Sequence, residues 1–182
     1  MPIGFFYLLV FFIIQVILFK LNKRQYLKYC FLFSFIFYLF LFLYLSLAQY
    51  NIWLNDSFAK YLLPPYQSIK FFLTYTFFHF AYNYIISFGF ALLILGISIF
   101  LNQKYQNLFF QIEEPYIFAT ILFVLSLKYM VVYLFSIFII ATIINIFLKN
   151  KSERLSLYWL WIPSALFILL LEHFHFFGII NL

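Results

Sequence analysis

Lys128 stands in the middle of an apolar run, with Ile121 to Leu127 before it and Tyr129 to Ile140 after it. An ionisable group in hydrocarbon costs about 2.5–3.5 kcal/mol on insertion scales, and such groups are kept where ions or protons move. Burial of an amine favours its neutral form and makes it able to exchange protons. The bland alternative is a lysine reaching an interface from a tilted helix, but neither end of this run is close. Lys70 is a second lysine in an otherwise uncharged stretch. It lies shortly after Pro65, and by position alone it is an interfacial anchor.

Other polar residues offer less chemistry. His79 and Asn83 are one helical turn apart, a spacing for hydrogen bonding within or between helices. Glu172, His173 and His175 look superficially like a metal cluster, but residues two apart on a helix do not share a face, so interfacial polarity is the better reading. With three histidines and one cysteine, Cys30, the chain has no disulfide framework and no multi-cysteine metal site, and Cys30 is expected to be a small core residue. It also lacks a Gly-x-Ser-x-Gly elbow, and Asp56 is its single aspartate. No cofactor, haem or metal is expected.

The elements that must position these residues follow from composition. At 68% hydrophobic and 9% charged, with a mean hydropathy of +1.06, the chain is far outside soluble composition, where about a quarter of residues are charged. It is expected to be all-α, a polytopic bundle of about five, five to six, transmembrane helices forming one domain over residues 1–182. The formal charge of +6 comes from Lys and Arg placed mostly at the ends of apolar runs, which points to anchoring and not to nucleic-acid binding. The N-terminus has no basic n-region and no small-residue cleavage pattern, so the first helix is expected to be retained.

Spans are expected from about Pro2 to Phe19, Tyr29 to Ala48, Gln67 to Leu101, from Glu113-Glu114-Pro115 to about Leu148, and from Leu155 to Phe177 with Pro163 inside. Pro64-Pro65 marks a helix boundary, and acids followed by proline mark a helix start. With five alternating spans, Lys20, Lys23, Arg24, Lys28 and Lys104 face one side, and Lys60, Lys149, Lys151 and Arg154 the other. Charge then sets orientation only slightly.

Ser68-Ile69-Lys70-Phe71-Phe72-Leu73-Thr74 resembles the Ile-Lys-Tyr-Phe-Leu segment of subunit 2 of respiratory complex I, the antiporter-like subunit of NADH:ubiquinone oxidoreductase. Upstream, Ser46-Leu47-Ala48-Gln49-Tyr50 is similar to that family's Ser-Leu-x-x-Tyr. Downstream, Lys128 closes Phe123-Val124-Leu125-Ser126-Leu127 as a lysine does in the family's broken proton-channel helix. The resemblance covers roughly residues 40 to 140, and the chain would be a split or truncated form lacking the later helices. It implies that Lys128 is the central proton-carrying lysine and Lys70 a lysine of the same half-channel. Two departures stand against it. Met130, Tyr133, Leu134 and Phe135 occupy the places of the family's helix-breaking Gly, Pro, Phe and His, so no break is expected. The family's partner glutamate falls on Leu43.

The expected function is therefore that of a membrane-arm subunit of the proton-pumping oxidoreductase in the mitochondrial inner membrane. It would carry protons without a redox cofactor and without being a catalyst on its own. Its partners would be other membrane subunits of a large complex and lipid, with no nucleic acid. The rivals are a structural accessory subunit of another mitochondrial complex, such as an ATP synthase or oxidase, and a small transporter or degenerate membrane peptidase.

Overall fold

In a computed structural model, residues 3–106, 110–125, 127–147 and 157–173 are described, apart from the side chains of Lys128, Asn145, Phe147, Glu172 and His173. Their regular structure is entirely helical: α1 (Ile3–Lys20), α2 (Leu27–Asn55), α3 (Ile69–Thr76), a π-helical turn (Phe77–Ala81), α4 (Tyr82–Lys104), α5 (Glu114–Val124), α6 (Leu127–Phe147) and α7 (Trp161–His173). Ile3–Lys20, Arg24–Asn55 and Ile69–Lys104 are long and apolar enough to cross a membrane. The all-helical architecture is as expected, and α5 begins where Glu113-Glu114-Pro115 placed a helix start.

Local chemistry sets the helix ends. After α1, Asn22 takes a left-handed backbone (φ 55°) while the Lys23 and Asn22 amides donate to the carbonyls of Leu18 and Phe19, a Schellman closure suited to asparagine. α2 runs past the expected Ala48 and takes in Asn51 and Asn55 before Asp56 turns extended. The Asp56 carboxylate then accepts the Phe58 and Ala59 amides at 2.9 and 2.8 Å. Pro163 is inside the last helix as expected, as the third residue of α7, in the first turn where a missing N–H is harmless.

The largest departure concerns the expected span from Pro115 to Leu148, which is two helices. α5 stops at Val124, Leu125 is extended (φ −74°, ψ 134°), and α6 starts at Leu127. α5 has 11 residues, about 16 Å at 1.5 Å per residue, roughly half the thickness of a hydrocarbon core. Its Phe123 ring packs on Tyr38 and Phe88, near the midpoints of α2 and of the Ile69–Lys104 helix. α5 therefore enters the bundle and stops half way.

α6 then doubles back. Tyr133 lies 6.3 Å, ring to ring, from Phe118 on α5, and its hydroxyl donates to the Trp161 carbonyl at the start of α7. Trp161 in turn stacks near Phe118 at 4.6 Å. The entry to α7 is thereby brought to the end of the bundle that holds the α1–α2 turn, where Phe19 packs on Tyr158 and Trp159. The chain therefore turns back between α5 and α6 where one continuous span was expected.

α5 is the centre of the core. Glu114, Pro115 and every residue from Ile117 to Leu125 are buried among α1, α2, α4 and α7. Gly4 permits the close approach of α1, since a Cβ there would lie 3.2 Å from Val124 Cγ1 and 3.5 Å from the Tyr38 hydroxyl.

Candidate functional site

Enclosure on all sides explains how an interruption can exist at this depth. Non-helical backbone is tolerated within a membrane protein only where protein or a water-filled cavity surrounds it. Leu125, the extended residue, is fully buried. The last carbonyls of α5 and the first amides of α6 have no partners within their own helices. Opposed helix ends of this kind form discontinuous sites for ions and protons in transporters. The Tyr38 hydroxyl and the Val124 carbonyl both face Gly4 here, and the Tyr38 oxygen is buried with no hydrogen-bond partner among the described residues.

Lys128 is in the first turn of α6, directly after the interruption. Its side chain lies outside the described residues. Lys70 is in the first turn of α3, exposed and next to the loop that follows α2. Leu43, at the place of the family's glutamate, is also exposed.

His79 falls in the π-helical turn and stacks on Tyr75 with centroids 5.4 Å apart and planes 14° apart, so its ring is engaged one turn back and not with Asn83. Cys30 is a half-buried free thiol against the main core, close to the expected small core residue. His175 and the side chains of Glu172 and His173 lie outside the described residues. A cavity of about 270 Å³ adjoins the π-helical turn and is lined by Phe35, Tyr38, Phe80, Ala81, Phe88 and Phe123 among others. Its lining is almost wholly apolar and offers few groups that could hold water or a proton.

A polar cluster that sequence reasoning missed sits where α5 begins. Gln15 of α1 is fully buried, and its Nε2 donates to the Tyr158 carbonyl at 2.8 Å. Glu114 is 2% exposed and accepts the Gln111 amide at 3.1 Å. Arg24 lies over the Phe19 ring at 4.1 Å and near the Tyr158 ring at 5.9 Å. Burial pushes the Tyr158 phenol above its ordinary pKa; the Gln15 amide and the Arg24 guanidinium oppose this, and Glu113 and Glu114 add to it. The α4–α5 linker is pinned alongside by Asn102, whose amide both donates to the Phe110 carbonyl and accepts its N–H at 2.9 Å.

The available signal for this cluster was Gln15 itself, a lone amide in an otherwise apolar helix. Together the cluster and the interruption give α5 an acid at its entrance and a lysine just past its inner end. Comparison with known protein families, curated proteins and solved structures finds no match.

Proposed function

We propose that this chain is a proton-translocating membrane subunit of a larger assembly, with Lys128 as its proton-carrying group. The observation that carries the reading is the interruption of an enclosed helix at Leu125, immediately before Lys128. A helix interruption beside an ionisable residue is a recurrent setting for ion and proton sites in membrane proteins, and ionisable residues within apolar spans are kept where protons move. The departure that follows the lysine stands, since α6 runs unbroken through Met130, Tyr133, Leu134 and Phe135. The support for a resemblance to subunit 2 of NADH:ubiquinone oxidoreductase is that the lysine still begins a helix next to an interruption, on its other side. The membrane arm of that complex, in the mitochondrial inner membrane, is therefore the assembly we propose, with other membrane subunits and lipid as partners and no redox cofactor in this chain.

The exposure of Lys70 at the edge of α3 favours a second reading, a structural accessory subunit of another mitochondrial complex, for that lysine then only anchors the helix. Mass spectrometry of the subunits that copurify with the chain separates the two. Antiporter-like and other oxidoreductase subunits support the first reading, and subunits of an ATP synthase or oxidase support the second.

A further inference from the structure

The cavity of about 270 Å³ beside the π-helical turn lies ahead of the inner end of α5. Four residues of α2, three of the π-helical turn and three of α4 line it, and α5 contributes Phe123 alone, one residue before the helix stops. Its deepest walls are Phe123, Tyr38 and Ala81, which are 2%, 5% and 8% exposed. Leu39, Phe77 and Ile85, also in the lining, are exposed, so the cavity opens between α2 and α4 on the outer face of the bundle. The small Ala81, set in a π-helical turn of the kind that often marks a functional site, leaves the space unfilled on one side.

Position and chemistry together select the occupant. Both helices that flank the mouth belong to segments long and apolar enough to cross a membrane, so the mouth faces hydrocarbon. Phe123 meets Tyr38 and Phe88 near the midpoints of those segments, at the depth where the methyl ends of acyl chains lie and headgroups do not. No charged side chain lines the cavity. A void left empty forfeits the dispersion contacts of its walls, and an apolar cavity of about 150 Å³ is already enough to hold benzene.

We propose that this cavity seats the acyl chain of a bilayer lipid, which enters between Leu39 and Ile85 and packs its methyl end against Phe123. The inference goes beyond the proton-translocating reading and does not need it. The chain takes up the groove between α2 and α4 that α5 leaves when it stops.

The probe is a phosphatidylcholine with a diazirine near the methyl end of one chain, incorporated into membrane vesicles that contain the whole protein in its native assembly. Light expels dinitrogen from the diazirine, and the carbene left behind inserts into a neighbouring C–H or O–H bond that peptide mass spectrometry locates. The expected result is adducts on Phe123 and Tyr38, which bulk lipid does not reach, beside those on Phe40 and Leu47, exposed on α2. Ala81→Leu places a larger side chain in the cavity and should lower the inner adducts several-fold while leaving those on Phe40 and Leu47 unchanged. Ile85→Trp narrows the mouth from an exposed position and should do the same, including where Ala81→Leu fails to assemble. Labelling confined to exposed residues overturns the inference and leaves the cavity empty or covered by a neighbouring subunit. Undiminished labelling of Phe123 in an assembled Ala81→Leu or Ile85→Trp variant overturns it as well.

Discussion

Phe118 and Tyr133 lie on either side of Leu125 in sequence, and their rings meet 6.3 Å apart. That contact requires the chain to turn back between α5 and α6, and it divides the expected single span in two. The consequence for the membrane is direct, because the entry to α7 comes to the same end as the α1–α2 turn.

Topology is thus predicted to differ from five alternating spans. In a Cys30→Ser background, cysteines at Lys23, Lys104 and Trp159 should all react with a membrane-impermeant thiol reagent from one side, and cysteines at Ser57 and Tyr66 from the other. Labelling of Lys23 and Trp159 positions from opposite sides would refute the hairpin. Basic residues at the first end, Lys20, Lys23, Arg24 and Lys104, outweigh Lys60 at the other, so the first end should be the cytosolic or matrix face.

Much of this fold was legible in the sequence, because long apolar runs bounded by charges give α1, α2 and the Ile69–Lys104 helix directly. Glu113-Glu114-Pro115 likewise announces α5. The interruption was not legible: from Phe123 to Tyr129 there is neither glycine nor proline, and local preference favours continuing the helix. What ends α5 is tertiary, its enclosure by four other helices and the fit of Val124 against Gly4. The π-helical turn at Phe77–Ala81 is similarly unmarked. Of the candidate site, Lys128 was found from its apolar surroundings, whereas Glu114 was read only as a helix-start acid, since its burial comes from tertiary packing that its neighbours in sequence do not announce.

The fit of α1 against the end of α5 gives a second prediction. Gly4→Val should overpack the contact and destabilise the protein by about 1–3 kcal/mol. Because Val124 Cγ1 is the nearest atom, at 3.2 Å, Val124→Ala should recover part of that loss. Unfolding midpoints in detergent for the two single variants and the double variant check this. Strict additivity would show that the two residues do not press on one another.

The hydroxyl of Tyr133 tests the tie between α6 and α7. Tyr133→Phe removes its bond to the Trp161 carbonyl and should cost about 1 kcal/mol. Tyr133→Ala, which also empties a fully buried site, should cost about 3–5 kcal/mol. Equal losses in the two variants would show that the hydroxyl, and not the ring, holds the packing.

Asp56 confers a pH dependence on the loop after α2. The Ala59 and Phe58 amides hold its carboxyl below the usual carboxylate value. A lowered folded value means that the contribution is fully present above the value of the free carboxylate and is lost as pH falls through the folded one. Hydrogen exchange at Phe58 and Ala59 should therefore be slow near neutrality, relative to an unprotected amide, and lose its protection in acid. Asp56→Ala should abolish that pH dependence. Persistence of the same profile in Asp56→Ala would assign the protection to something else.

Proton flux through vesicles containing the native assembly, compared between the unaltered chain and Lys128→Met, tests the central claim most directly. The account predicts that flux is lost while all copurifying subunits are retained. Undiminished flux in a fully assembled Lys128→Met complex would contradict it.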